Sequence, residues 1–197
     1  MERVTPAPDE VWRTFIAIDV PAELHPLIAR LQEKLRRTGV RVSCPKPEHS
    51  HVTMVFLGDT FVARIPQIVR VIEAAAEGVR PFPCRLAGVG IFGPPRAPRV
   101  VWLGVEPSEP LASLREEIAK GVASLGFPLE SRPFHPHVTL ARIRSTQNAA
   151  ALTSWVGSVV YDSPGEFMVE RVCFYRSQPD RPEAIYTLLH AAKLKGV

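Results

Sequence analysis

The chain contains the stretch FHPHVTLAR at Phe134–Arg142 and a matching stretch, SHVTMVFLG, at Ser50–Gly58. Each has a histidine, one spacer residue and a threonine, followed by apolar residues. The histidines of these two His-x-Thr motifs, His51 and His137, are 86 positions apart. A single motif of this kind is common by chance, whereas a pair in matching surroundings indicates a duplication.

The surroundings of the two motifs do match. The offset of 86 positions aligns Phe15 and Ile16 with Val101 and Trp102, in the middle of the apolar runs TFIAIDV and RVVWLGV. Each run is followed by apolar residues at three- and four-residue steps, which is the pattern of an amphipathic helix. The repeated order of strand, helix and His-x-Thr strand predicts a duplicated lobe with a two-histidine site between the copies.

Strands and helices are mixed without a strict alternation, and no glycine-rich phosphate-binding loop follows any strand. We therefore predict an α+β protein with a bilobed, pseudo-two-fold duplicated fold, in which two mostly antiparallel sheets face a central cleft and helices cover the outer faces. The repeat-like halves span about 13–58 and 99–143. Predicted strands at Phe167–Tyr175 and Ala184–His190, within about 167–190, complete the sheets. Residues 1–197 are expected to form a single domain.

Composition is that of an ordinary globular chain, with 46% hydrophobic and 22% charged residues. No apolar run approaches the roughly 18–20 residues that cross a bilayer, and the amino terminus lacks the pattern of a signal peptide. The three cysteines are scattered, which argues against a disulfide framework and a thiolate metal site. We therefore expect a cytoplasmic protein with no membrane partner. The net charge of +4 favours an anionic partner.

The spacing of each motif brings its histidine and threonine together. Residues i and i+2 of a strand point to one face, so His51 shares a face with Thr53, and His137 shares one with Thr139. An imidazole titrates near neutral pH, so one ring can act as a base while the other acts as an acid. Such a pair suits in-line displacement at phosphorus, with the hydroxyls donating to the non-bridging oxygens. This chemistry needs neither a metal nor a cofactor.

A metal site is the main alternative, because His49 and His135 also correspond at the same offset. Four histidines on two strands would suit zinc. Pro136 disturbs the second strand where His135 would have to face inward, which favours the metal-free interpretation. His25 and His190 have no counterparts and are interpreted as structural or exposed.

These motifs resemble those of the two-histidine (2H) phosphoesterase superfamily, in particular its bacterial and archaeal branch of RNA 2′,3′-cyclic phosphodiesterases, also called 2′-5′ RNA ligases. The similarity begins with RTFIAIDVP at Arg13–Pro21 and includes both motif stretches. It ends with RVCFYRS at Arg171–Ser177 and IYTLL at Ile185–Leu189. The resemblance implies a bilobed fold in which the two motifs face each other across an open cleft.

The resemblance also implies a metal-independent hydrolase. Its substrate would be RNA with a terminal 2′,3′-cyclic phosphate, for example a tRNA fragment, which it opens to a 2′-phosphate, and 2′-5′ ligation is the reverse kind of step. His51 and His137 fall on the catalytic positions, and Thr53, Thr139 and Arg142 fall on positions that bind the phosphate. By analogy, His137 is the base for water and His51 is the acid for the 3′-oxygen.

Aromatic residues beside the motifs are candidates for stacking on a terminal base. Phe134, next to a loop, is the stronger candidate, and core packing is expected for Phe56. Two other functions stay open: hydrolysis of a small cyclic nucleotide, an ADP-ribose cyclic phosphate or a 2′-5′ oligoadenylate by the same chemistry, and non-catalytic binding of RNA or nucleotides. The intact motifs favour catalysis. A monomer is expected, since the cleft forms within one chain.

Overall fold

The computed structural model describes residues 7, 9–94, 96–145, 147–159, 165–180 and 184–196. Nine strands lie in this part of the chain: β1 (Val11–Asp19), β2 (Val42–Ser43), β3 (His51–Phe61), β4 (Phe82–Phe92), β5 (Val100–Val105), β6 (His137–Ile143), β7 (Glu166–Val169), β8 (Arg171–Gln178) and β9 (Ile185–Lys193). The four α-helices are α1 (His25–Arg36), α2 (Ile65–Glu77), α3 (Glu109–Ser124) and α4 (Ala149–Ser158). None of these helices in the described residues is long and apolar enough to span a membrane.

All strand pairings are antiparallel, in the order β7-β4-β5-β6-β3-β1-β8-β9, and β2 pairs with β6. A single residue pair, Val52 with Val138, joins β3 to β6 at the centre of this order. The sheet therefore consists of two halves of four strands each, with the short β2 added beside β6, and the hydrogen-bonded contact between the halves is minimal. The predicted α+β class with antiparallel sheets is confirmed, and the two predicted sheets are joined edge to edge.

Each half of the sheet combines elements from both copies of the repeat. β1 and β3 belong to the first copy, but their neighbour β8 follows the second copy in the chain. β5 and β6 belong to the second copy, but their neighbour β4 follows the first. The helices are exchanged in the same way, since α1 packs on β6 and α3 packs on β3. This exchange ties the halves together although only one residue pair joins their strands.

The two copies are not related by one constant offset. In the strand registers, Ala17 lies opposite Thr53, and Trp102 lies opposite Thr139. The motifs are separated by 86 positions, but the strands that pair with them are separated by 85. The predicted alignment of Phe15 is therefore wrong by one residue, because the connection from strand to motif is one residue longer in the second copy.

The predicted strand Phe167–Tyr175 is two strands in opposite halves of the sheet. β7 pairs with β4 at one outer edge, whereas β8 pairs with β1 and β9. Glu170 separates them, and its carbonyl accepts a hydrogen bond from the Leu194 amide at 2.8 Å. The charged residues Glu170 and Arg171 interrupt the apolar run at this point, a sign of the break that the prediction of a single strand passed over. The strand predicted at Ala184–His190 is confirmed as β9.

Helix α1 connects the two motifs through a buried polar residue. Its predicted apolar stripe is buried against the sheet, namely Leu27, Ile28, Leu31 and Leu35. Gln32 lies in the same stripe and is only 2% exposed. Its Nε2 donates to the carbonyl of Pro45 at 2.8 Å and to that of Leu140 at 3.2 Å. Gln32 thus ties the loop before the first motif to the strand of the second.

Candidate active site

β3 and β6 present the two motifs on the same face of the sheet. The spacer residues Val52 and Val138 are fully buried on the opposite face, with 0% exposure, whereas the histidines and threonines of both motifs are partly exposed. Because the two spacers pair directly, the motif side chains lie on neighbouring strands beside the junction of the halves. The structure thus brings together the two imidazoles and two hydroxyls singled out by the sequence.

Each motif histidine is oriented by a backbone carbonyl two residues earlier. His51 Nδ1 lies 2.8 Å from the carbonyl oxygen of His49, and His137 Nδ1 lies 2.7 Å from that of His135. A carbonyl oxygen can only accept a hydrogen bond, so Nδ1 carries a proton in both rings. Nε2 is therefore the atom that can accept or release a proton in the cleft.

Aromatic side chains pack against both imidazoles. The ring centroid of His51 lies 4.9 Å from that of Phe15 and 5.3 Å from that of Tyr186. The ring centroid of His137 lies 4.8 Å from that of Phe92. These rings limit the rotation of the imidazoles and shield them from water, so each Nε2 keeps a fixed position in the cleft.

Burial lowers the pKa of both motif histidines below the usual value, because it disfavours the charged ring. The hydrogen bonds to the carbonyls raise both pKa values in part, and Arg142 lowers both. The remaining influences differ between the two rings. The Asp19 carboxylate raises the pKa of His51 and His137 lowers it, whereas the pKa of His137 is lowered by the neighbouring His135 and no carboxylate of the described residues raises it. His51 is therefore the ring whose charged form has a stabilising carboxylate nearby.

The position of Asp19 follows from the strand register. Asp19 is the last residue of β1 and lies opposite His51, whereas Gly104 lies opposite His137 in β5. The duplicated site is thus asymmetric in charge. Our sequence interpretation missed Asp19, although counting the antiparallel register backwards from the motif would have found it.

Three side chains of β8 donate hydrogen bonds to the Asp19 carboxylate. They are the Tyr175 hydroxyl at 2.6 Å, the Arg171 guanidinium at 3.2 Å and the Cys173 thiol at 3.3 Å. Burial raises the pKa of Cys173 to about 12, and burial followed by the bond to Asp19 raises the pKa of Tyr175 well above its usual range. Both groups therefore stay protonated at neutral pH and keep the carboxylate in place.

A β-bulge in β3 changes which residues reach the cleft. Strict alternation from His51 would send Phe56 to the core, but Met54 and Val55 are buried in succession, at 3% and 7% exposure. The register shifts at this point, and Phe56 lies opposite Phe15 on the cleft face. Core packing, which was expected for Phe56, is therefore wrong, since its side chain is 49% exposed.

A matching bulge in β6 brings Arg142 to the cleft. Leu140 and Ala141 are buried in succession, and the register shifts where β6 passes β5. Arg142 therefore lies on the same face as His137 and is exposed. Phe56 and Arg142 stand five positions after their respective histidines, so they are equivalent residues of the two copies.

A cavity of about 360 Å³ opens beside His51. Its walls include side chains from β1, β3, β6 and β9 and from the residue that follows β6, namely Arg13, Thr53, Phe56, Arg142, Arg144 and Tyr186. The described residues that line it include neither His137 nor Thr139. This cavity therefore lies on the His51 side of the cleft.

Phe134 lies apart from this cavity. Its side chain is half-buried and packs against the hydrophobic core. The guanidinium carbon of Arg115 lies 5.5 Å from its ring centroid and covers the ring. Base stacking by Phe134 stays a prediction, and the rings that do line the cavity include Phe56 and Tyr186.

The residues two positions before the motif histidines contribute backbone atoms to the site. Their carbonyls orient the motif histidines. Their rings pack against aromatic neighbours: the ring centroid of His49 lies 5.8 Å from that of Tyr186, and the ring centroid of His135 lies 4.5 Å from that of Trp102. Across the described ranges of the chain, no group of three or more His, Cys, Asp or Glu side chains is arranged to hold a metal ion.

The sequence is similar to proteins of one family along most of its length. Residues 20–181 match the model of the 2′-5′ RNA ligase superfamily. The chain is 31% identical over 182 residues to the RNA 2′,3′-cyclic phosphodiesterase of Methanothermobacter thermautotrophicus, covering 92% of this chain and 98% of that protein. It is 31% identical over 186 residues to the protein of the same name from Thermotoga maritima, covering 93% and 96%.

Solved structures show the same architecture. The protein TT0787 of Thermus thermophilus matches with a TM-score of 0.78 at 27% identity, covering 93% of this chain and 98% of that one. Escherichia coli LigT complexed with 3′-AMP matches with a TM-score of 0.75 at 27% identity, covering 94% and 99%. The likeness therefore includes both motifs and the strands that follow them.

Proposed function

The chain belongs to the 2′-5′ RNA ligase superfamily, and on that premise we propose that it is an RNA 2′,3′-cyclic phosphodiesterase that hydrolyses a terminal 2′,3′-cyclic phosphate to a 2′-phosphate. The observation that carries the proposal is the pair of imidazoles whose Nδ1 atoms bind backbone carbonyls, which leaves two Nε2 atoms for chemistry in one cleft. Full-length relatives bear the name of this activity. Joining RNA ends through a 2′-5′ bond would use the same site in reverse.

Hydrolysis moves one proton away from water and one proton to the ribose. His137 Nε2 accepts the proton of the water molecule as the water oxygen bonds to phosphorus. The bond from phosphorus to the 3′-oxygen breaks on the opposite side, and His51 Nε2 donates a proton to that oxygen. The products are a 2′-phosphate and a 3′-hydroxyl, and solvent restores the protonation of both rings. Each positioned proton transfer typically contributes about 10²–10⁴-fold in rate.

The shape of the cleft supports this division of roles. In an in-line displacement the attacking and leaving oxygens lie on opposite sides of phosphorus. The leaving oxygen belongs to a ribose with its base and the rest of the RNA, which need far more room than a water molecule. The cavity adjoins His51, so the ribose side of the reaction belongs there. Asp19 favours the protonated form of the same ring, as an acid requires.

We propose that three side chains hold the phosphate. Thr53 and Thr139 share the cleft face with the two histidines, and Arg142 is the guanidinium near enough to lower both histidine pKa values. Their donors would bind the non-bridging oxygens, where negative charge grows in the transition state. No metal and no cofactor takes part in this mechanism.

The test of the function is hydrolysis of a short RNA that ends in a 2′,3′-cyclic phosphate, in the presence of EDTA. We expect turnover, with a 2′-phosphate product assigned by NMR. A 3′-phosphate product would contradict the assignment of the 3′-oxygen as the leaving oxygen beside His51. Turnover that stops in EDTA and returns with zinc would contradict the metal-free mechanism, and complete lack of turnover would contradict the function.

We also assign the protein to the cytoplasm, as a monomer. The three cysteines are free thiols, which suits a reducing compartment. Both motifs and the cavity beside them are supplied by one chain, so a second copy is not needed to complete the site. RNA ends are the expected partners, and mononucleotide cyclic phosphates are the competing class of substrate.

A further inference from the structure

The two copies of the repeat present different side chains at one equivalent position of the cleft. Phe56 and Arg142 both follow a bulge, and both line the cavity of about 360 Å³. A guanidinium at this position can bind a phosphate oxygen. A phenyl ring cannot bind a phosphate oxygen in this way, so Phe56 must contact the substrate by a different kind of interaction.

The ring of Phe56 has the properties of a stacking platform. It is 49% exposed on a sheet face that otherwise carries the reactive side chains. The guanidinium carbon of Arg13 lies 4.9 Å from its ring centroid. Aromatic rings and guanidinium planes are the surfaces on which unpaired bases stack in single-stranded RNA complexes. The Arg13–Phe56 pair is therefore suited to a base.

The charge around the cavity exceeds what one phosphate requires. Arg13, Arg142 and Arg144 all line it, and the carboxylate among the described lining residues is that of Asp180. None of the three arginines forms an ion pair with a carboxylate of the described residues. This excess of positive charge fits a ligand with more than one phosphate, as in an oligonucleotide.

The Phe56 ring lies farther along β3 than the motif histidine, at which the phosphate would react. Phe56 stands five positions after His51, but because of the bulge this step matches the four-residue step from Asp19 to Phe15 in β1, which at about 3.3 Å per residue is roughly 13 Å. The ring of Tyr186 lies much closer, at 5.3 Å from that of His51. The ribose that carries the cyclic phosphate therefore belongs beside Tyr186, and Phe56 lies beyond it.

We propose that Phe56 and Arg13 form a subsite for the nucleotide on the 5′ side of the reacting end, so that the enzyme prefers an oligoribonucleotide to a cyclic mononucleotide. The base of that nucleotide stacks on Phe56, and Arg13 with Arg144 neutralises the phosphate between the two nucleotides. The proposal rests on the proposed function, since it extends the same cleft, and it names an RNA chain rather than a mononucleotide as the substrate.

The test compares kcat/KM for adenosine 2′,3′-cyclic phosphate with kcat/KM for ApA ending in a 2′,3′-cyclic phosphate. Stacking on one aromatic ring is typically worth about 5- to 160-fold in affinity. We expect the wild-type protein to favour the dinucleotide by a factor in this range, and Phe56→Ala to reduce that preference by at least about fivefold. Phe56→Trp should restore it, because the larger ring also stacks.

Phe61→Ala is the matched control. Phe61 lies on the same strand, is 56% exposed and is not among the described residues that line the cavity. The dinucleotide preference should be the same in this variant as in the wild type. Equal kcat/KM for both substrates in the wild type would overturn the proposal, as would a preference that survives in Phe56→Ala.

A binding measurement separates this proposal from the proposed function. The two products, adenosine 2′-phosphate and ApA 2′-phosphate, are titrated against the same proteins by calorimetry. Tighter binding of the dinucleotide, lost in Phe56→Ala, supports the subsite even if no substrate is turned over. Equal affinity for the two products contradicts the subsite even if hydrolysis is fast.

Discussion

The carbonyls of His49 and His135 determine which nitrogen of each motif histidine can move a proton. Because each carbonyl holds a proton on Nδ1, the two Nε2 atoms are the ones that can exchange a proton in the cleft. The strand supplies both the ring and the group that orients it, since the carbonyl lies two residues before the histidine. A duplicated short motif is thus sufficient to build an acid and a base.

Replacing either His51 or His137 by alanine should lower kcat at least about 100-fold, because each ring handles a different proton. Both rings are partly exposed, so circular dichroism and the urea midpoint should change little. His25→Ala is the control, since the His25 ring contacts the carbonyl of Val20 at 3.1 Å outside the cleft. A motif variant that keeps more than about a tenth of the wild-type rate would contradict the paired mechanism.

Asp19→Asn should change the pH dependence of kcat/KM on one side only. The carboxylate raises the pKa of His51, so its removal lowers that pKa. In the proposed mechanism His51 acts while protonated and His137 acts while neutral. The alkaline limb of the profile should therefore move to lower pH, while the acidic limb stays in place. Asp59→Asn, an exposed change in β3, should move neither limb. An alkaline limb that stays at the same pH, or moves to higher pH, would contradict the role of Asp19.

Single residues were predictable where the strand is regular. Alternation from His51 to Thr53 placed both side chains on one face, and the same holds in the second copy. Beyond the threonine each strand has a bulge, which reverses the alternation and brings Phe56 and Arg142 to the cleft. A bulge depends on the pairing of neighbouring strands, so a single sequence carries no local sign of it.

Among the elements, helix α1 links the loop before the first motif to the strand of the second motif. Gln32 is buried in its apolar stripe and bonds the carbonyls of Pro45 and Leu140. The periodic pattern of the sequence predicted the helix and its buried leucines correctly. It could not assign a role to Gln32, because both acceptors are distant in the chain.

Gln32→Ala should lower the free energy of unfolding by about 1–3 kcal/mol, since it leaves buried carbonyls without a donor. Urea denaturation at neutral pH measures this loss. Lys34→Ala, on the exposed face of the same helix, should stay within about 0.5 kcal/mol of the wild type. Equal stability of the two variants would show that the buried amide does not contribute.

At the scale of the whole molecule, the duplication predicts a cleft between two lobes, and the lobes are indeed halves of one antiparallel sheet. The exchange of β4, β8, α1 and α3 between the halves was not predictable, because each exchanged element has the same local pattern wherever it packs. The break between β7 and β8 was missed although the charged residues Glu170 and Arg171 interrupt the apolar run there. Local periodicity defines an element, whereas its place in the sheet depends on contacts far along the chain.

The two halves of the molecule differ in the surroundings of the two motif histidines. Asp19 stands opposite one histidine and Gly104 opposite the other, and the cavity adjoins only the first. These differences support the proposed roles of His51 as acid and His137 as base. Under this proposal the two rings are not interchangeable.

The most direct test uses a cyclic substrate in which sulfur replaces the bridging 3′-oxygen. A thiol has a pKa near 8.5, so a thiolate leaves without the proton that a ribose alkoxide needs. The rates of His51→Ala and His137→Ala are measured on the oxygen and sulfur substrates. We predict that sulfur restores most of the rate in His51→Ala and none in His137→Ala. Restoration in His137→Ala instead, or in neither variant, would contradict the assignment of acid and base.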